Sequence, residues 1–211
     1  QELLYLPDSS GLWVDAWEFY HCLAECETHP HPASQVCPHC LPWLDKAAGL
    51  YRDTFMAGFS LRDSAGFDDW QFFQSETLRR ELGSLLERLV QGYSDQGDFE
   101  TAINYAQRWL LLDALHEPAH RQLMQLYALS GQRNAALRQY QECVRILDKE
   151  LGVPPLEETS RLFREIKEQT GPWQAASSPD RPAGSSVAAG EQSQQTGTGL
   201  YPATIATQAH P

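Results

Sequence analysis

The sequence predicts an all-α fold of stacked helical hairpins, arranged as a right-handed superhelical array. Three observations carry that prediction. The first is an echo at 34 residues: Leu89, Tyr93, Gly97, Ala102 and Leu110 recur as Leu123, Tyr127, Gly131, Ala136 and Val144. The second is apolar spacing of helical period. Leu82, Leu85, Leu86, Leu89, Val90 and Tyr93 form one stripe, and Ala136, Leu137, Tyr140, Val144, Leu147 and Leu151 form another. The third is the kind of residue that repeats. Gly97 and Gly131 fall between two helical patterns, where a tight turn favours a residue without a Cβ. Ala102 and Ala136 open the second helix of each pair, where close backbones leave room only for a small side chain.

Thirty-four residues is the length of a tetratricopeptide repeat, a helix–turn–helix unit that stacks on its neighbours and binds other proteins. The elements follow in order. Residues 1–14 read as a strand and turn, with Leu3 and Tyr5 ahead of Pro7, Asp8, Ser9, Ser10 and Gly11. Asp15 is placed to cap a helix running to about Glu27, with Trp17, Phe19, Tyr20 and Leu23 as its apolar contacts. His29 to Pro42 is a loop rich in proline, histidine and cysteine. Pro42 suits a helix start, because its missing N–H would be unpaired there anyway; that helix runs to about Arg52. Gly58 breaks the connector 55–65. Helices are then expected over about 67–94, 99–113, 117–130 and 134–151, the last stopped by Gly152, Pro154 and Pro155. A final helix over 156–170 caps the stack.

Residues 171–211 are rich in Ala, Ser, Gly, Gln, Thr and Pro and read as a flexible linker, since they cannot bury enough apolar surface to offset their ordering entropy. A linker at this end implies a piece of a longer protein. The 211 residues therefore divide into 1–14, a link or remnant; 15–170, the helical domain; and 171–211. The chain carries a net charge of −12, and Asp180, Arg181 and Glu191 are the only charges after Thr170, which leaves −11 on residues 1–170. That balance argues against duplex DNA binding by this segment. No apolar run approaches membrane length and no signal segment opens the chain, so no membrane partner and a cytoplasmic location are expected.

The chemistry-bearing residues cluster in one place. Cys22, Cys26, Cys37 and Cys40 lie within 19 residues, interleaved with His21, His29, His31 and His39. An odd total of five cysteines argues against a disulfide framework. Cys37-Pro-His-Cys40 is a knuckle whose spacing lets two thiolates converge on one ion. Cys26, Cys37 and Cys40 with either His29 or His31 make three thiolates and one imidazole, a common tetrahedral zinc set. Four protein ligands close the coordination sphere, so the zinc would be structural. Two other readings stay open: a redox CxxC pair, and a metal-free loop. Cys22 and Cys143 read as small core side chains. Elsewhere, Asp68-Asp69 and Glu157-Glu158 sit at helix starts, where negative charge suits the dipole. His116 and His120, four apart, read as surface or capping residues. No GxSxG, HExxH, GxxxxGK[ST] or dinucleotide motif occurs, so neither enzymatic activity nor nucleotide binding is expected.

Residues 115–159, LHEPAHRQLMQLYALSGQRNAALRQYQECVRILDKELGVPPLEET, and 51–70, YRDTFMAGFSLRDSAGFDDW, resemble the bacterial transcriptional activator domain. That is the helical-repeat domain of antibiotic-regulatory-protein-type activators and related signalling ATPases. The resemblance covers about residues 13–170. It implies a regulatory, protein-interaction domain that couples an N-terminal winged-helix DNA-binding domain, absent from this sequence, to signal or downstream domains. It implies protein partners, RNA polymerase or a second copy among them, and DNA only through the missing domain. Two alternatives stand beside it: a stand-alone adaptor with a zinc-stapled loop, and a cysteine-based redox or metal enzyme.

Overall fold

The structure is a computed structural model that describes residues 11–32, 35–169 and 171. It contains α1 (Asp15–Glu27), α2 (Leu41–Leu50), α3 (Ala65–Asp95), α4 (Phe99–Leu112), α5 (Glu117–Leu129), α6 (Arg133–Leu151) and α7 (Glu157–Glu168), and no strand among the described residues. The strand expected within 1–14 falls mostly on residues 1–10, outside the described residues, as does nearly all of the expected linker 171–211.

The helices pair in chain order: α1 with α2, α3 with α4, α5 with α6. Neighbouring pairs then pack on one another, and α7 closes the far end against α6 and α5. The 34-residue echo is reproduced in the backbone. Gly97 and Gly131 turn their hairpins at φ +78° and +77°. Asp98 N–H donates to Tyr93 O at 3.0 Å, and Gln132 N–H donates to Tyr127 O at 2.7 Å. Ala102 and Ala136 are fully buried.

Local sequence explains the element ends. Asp98 caps α4 by accepting the Thr101 N–H at 3.1 Å. Pro42 and Pro118 occupy first-turn positions of α2 and α5. Gly152, at φ +68°, ends α6 in the left-handed conformation. At α1 the structure corrects the expected cap and the expected core face. Val14 is the N-cap, and Asp15 stands inside the first turn, where its charge faces the positive end of the helix. The buried face is Phe19, Cys22 and Cys26, spaced three and four apart; Trp17 points outward, half exposed. The face towards α2 meets Leu44, Ala47 and Ala48, and the small cysteines allow that close contact.

Three apolar clusters follow along the stack. The first joins α1 and α2 to Leu78, Leu82, Leu85, Leu86 and Leu89 of α3. The second joins α3, α4 and α5 around Ala102, Ala106 and Leu123. The third joins α5, α6 and α7 around Met124, Ala136, Leu162 and Ile166. Between the first two, Asp45 of α2 accepts hydrogen bonds from Tyr93 at 2.5 Å and Tyr105 at 2.8 Å. Arg108 adds bonds to the carbonyls of Ala48 and Tyr51. These bonds tie α2 and its C-terminal end at Tyr51 to α3 and α4.

Candidate metal centre

The loop between α1 and α2 folds its histidines and cysteines onto one point. The C-terminal turn of α1 tightens, with His29 N–H on Cys26 O at 3.5 Å and His31 N–H on His29 O at 2.8 Å. On the other side Cys40 N–H donates to Cys37 O at 2.9 Å, which closes the CxxC knuckle, and Cys40 is also the N-cap of α2. The knuckle is thereby fixed to a helix end. Val36 and Leu41 flank it and lie against Gly92 of α3: a Cβ at Gly92 would stand 3.0 Å from Val36 Cγ1 and 2.7 Å from Leu41 Cδ2. Glycine is what lets the loop approach α3 this closely.

His29, His31, Cys37 and Cys40 each offer one ligand atom, and these atoms all lie within 4.8 Å of one another. Cys40 Sγ is 3.0 Å from His29 Nδ1, 3.1 Å from His31 Nε2 and 3.5 Å from Cys37 Sγ. Cys37 Sγ is 3.4 Å from His29 Nδ1. A tetrahedral zinc with its usual bond lengths sets its ligand atoms roughly 3.3–3.8 Å apart. Of these four separations, two fall within that range and two lie just below it. His31 Nδ1 faces Pro32 O at 3.0 Å, which places its proton on Nδ1 and frees Nε2 as a ligand. A His2Cys2 group of this geometry can bind a metal ion.

The electrostatics of the pair agree with that use. At Cys37 burial opposes ionisation, but hydrogen bonds from Cys40, from the Cys40 and His39 backbone and from His31 outweigh it and bring the thiol down to about 6. Cys40 is pushed up by burial and by its neighbour Cys37, which makes Cys37 the thiolate of the two. Metal binding needs both sulfurs deprotonated, and a divalent cation supplies the charge that favours it.

Sequence reasoning expected three thiolates and one histidine. The structure brings both histidines together with Cys37 and Cys40. Cys26 stands beside this group, 1% exposed, its Sγ 3.7 Å from Cys40 O. Of the remaining cysteines, Cys22 and Cys143 are fully buried among apolar side chains, and burial pushes Cys143 up to about 12. His39 faces solvent with its ring 6.3 Å from that of His29, and His21 pairs with Glu25 on the outer face of α1. No helix among the described residues is long and apolar enough to cross a membrane.

The family model described as bacterial transcriptional activator domain matches residues 14–167. Those bounds run from the N-cap of α1 into the last turn of α7, so the match takes in the histidine–cysteine loop as well as the repeats. No curated protein and no solved structure matches the chain.

Proposed function

The chain belongs to the bacterial transcriptional activator domain family, and from that premise we propose that it is the regulatory, protein-interaction domain of a transcription activator. In this reading it couples a DNA-binding domain on its N-terminal side to signal-receiving or downstream domains. The observation that carries it is the coincidence of the family match, over residues 14–167, with a stack of helical hairpins that runs from the α1 cap to the closing helix α7. The family is a regulatory one, which favours interaction over chemistry. Protein partners are expected, with RNA polymerase and a second copy of the chain as the first to test. DNA contact would come through the N-terminal domain, because residues 1–170 carry a charge of −11 that repels phosphate.

The loop between α1 and α2 adds a structural zinc to that domain, with ligands drawn from Cys26, His29, His31, Cys37 and Cys40. Its role is to pin α1 to α2 ahead of the repeats. Full occupation by protein atoms leaves no open coordination position, which suits a structural and not a catalytic ion.

The functional reading is tested in a reporter strain that carries the gene encoding this segment with its flanking sequence. Deleting residues 15–168 in frame is expected to abolish activation while promoter occupancy persists. Activation that survives the deletion would overturn the regulatory role; loss of occupancy would overturn the separation of DNA binding from this domain.

A further inference from the structure

Gly83 stands inside α3 with no packing reason to be glycine. A Cβ there would meet Trp109 Nε1 at 3.7 Å and Leu112 Cδ2 at 3.8 Å, both ordinary contacts. At Gly92, on the same helix, a Cβ would stand 2.7 Å from Leu41 Cδ2, so glycine is required there. Glycine inside a helix is less stable than alanine. What Gly83 keeps open is the space in front of the Trp109 indole nitrogen. Trp109 is 4% exposed, its ring 4.9 Å from that of His116. Its Nε1–H makes no hydrogen bond among the described residues. Nor is it sealed in, since the one fully buried side-chain nitrogen or oxygen without a partner among those residues is Arg88 Nε. A buried indole usually gives its N–H to a partner. This one opens into a cavity of about 420 Å³ between α3, the end of α4 and the cap of α5.

The charges around the cavity say what it would take. Arg79 is engaged: it donates to Leu112 O at 2.8 Å and pairs with Glu76 at 3.6 Å. Asp113 accepts the Leu115 N–H at 3.0 Å. Arg80 and Glu87 make neither a hydrogen bond nor an ion pair among the described residues. Both line the cavity on the same face of α3 as Gly83, about one turn to either side of it. The wall therefore presents, in order, an unpaired guanidinium, the indole N–H and an unpaired carboxylate. Two donors at one end and an acceptor at the other match a molecule that carries both a carboxylate and an ammonium group.

We propose that this cavity binds a free amino acid, with its carboxylate between Arg80 and the Trp109 N–H and its ammonium on Glu87. A simple anion would meet the Glu87 carboxylate, and a simple cation the Arg80 guanidinium, so the zwitterion is selected over both. The site needs no part of the metal reading. In a regulatory domain it is the entry for a metabolite signal, a consequence that rests on the function proposed above. Binding is read on the purified chain, so its failure is distinguishable from a failure of the reporter test.

The test uses the full 211-residue chain, isotopically labelled at the indole nitrogens of its six tryptophans, with each standard amino acid added in turn. The Trp109 N–H resonance is identified by its loss in Trp109→Phe. At least one amino acid is expected to move that resonance downfield and to saturate. Its amide, which lacks the carboxylate, and its N-acetyl form, which lacks the ammonium, are expected to leave it in place. Arg80→Met and Glu87→Gln, both at exposed positions, are each expected to weaken binding roughly 10-fold or more, the range for a lost charge-assisted hydrogen bond. Gly83→Ala is expected to weaken binding while raising the midpoint of thermal unfolding, which a glycine needed for packing would not do. A Trp109 resonance that no amino acid moves overturns the proposal. So does equal movement by the amide or the N-acetyl form, unchanged binding in Arg80→Met or Glu87→Gln, or a Gly83→Ala protein less stable than wild type.

Discussion

His120 shows how one side chain is fixed by its surroundings. It is 2% exposed, with Nε2 facing Ala114 O at 3.0 Å and Nδ1 facing the Gln139 side-chain amide at 2.7 Å. A carbonyl can only accept, so Nε2 carries the proton and Nδ1 accepts from the amide. Both nitrogens are satisfied in the neutral ring, and burial lowers its pKa below the ordinary histidine value. The unfolded chain then takes up a proton near pH 6.5 that the folded protein refuses. The stabilisation is complete above that pH and is lost as pH falls towards the lowered folded value. His120→Gln is expected to flatten the acid side of the stability profile when urea unfolding is compared at pH 7.5 and 5.5; an unchanged slope would contradict the assignment. The sequence alone suggests a surface or capping role for His116 and His120. His116 is indeed the N-cap residue of α5, its ring 4.9 Å from that of Trp109. His120 is core, and the signal for it was present: it falls in the buried run Ala119, His120, Leu123 and Met124. Its polarity hid what its spacing stated.

Among the elements, the hairpins rest on small residues where helices cross. Ala102 and Ala136 have no exposed surface. Leucine at either position must force the packed helices apart, a cost of roughly 1–3 kcal/mol. Each substitution is expected to lower the midpoint of thermal unfolding, and unchanged midpoints for both would refute the register. The start of α7 is held by residues of α5 far from it in sequence. Glu117 of α5 accepts the Leu156 N–H at 3.0 Å and the Thr159 hydroxyl at 2.7 Å, at the start of α7. Arg121 donates to Thr159 Oγ1 at 3.1 Å. At the other end Arg133 bonds the carbonyls of Ile166, at 2.9 Å, and Lys167. The EPAHR segment is therefore the receptor for the LEET segment, and the closing helix is held at both ends. Helix existence was legible in the sequence because glycine and proline punctuate strong apolar stripes; every helix core from α1 to α7 was. The inward face of α1 was not. Trp17 and Tyr20 are large, and size suggested burial, whereas the tight contact with α2 selects cysteine. The pairing of α5 with α7 was equally hidden, because it depends on a carboxylate meeting a backbone some forty residues away.

Across the whole molecule the apolar clusters run in series, and the histidine–cysteine loop touches only the first. Cys26, Cys40 and Leu41 pack there with the leucines of α3, while the clusters around Ala102 and Ala136 contain no residue of the loop. Ion removal should accordingly loosen one end of the stack and spare the other. The repeat architecture was readable at this scale, since each hairpin needs the same turn and the same small contact residue and so repeats them at a fixed interval. A group of residues that could hold a metal ion was readable too, from the density of histidine and cysteine in one loop. Their arrangement was not: two backbone turns and the seat against Gly92 decide which atoms converge, and both histidines meet Cys37 and Cys40 as a result. The most direct test of a metal-pinned repeat domain is zinc content measured together with amide hydrogen exchange, on protein purified without chelator. One zinc per chain is predicted, and stripping it with a strong chelator should speed exchange across residues 26–42 while α4–α7 keep their protection. Protein that carries no zinc, or a chelator effect spread evenly along the chain, would contradict the account.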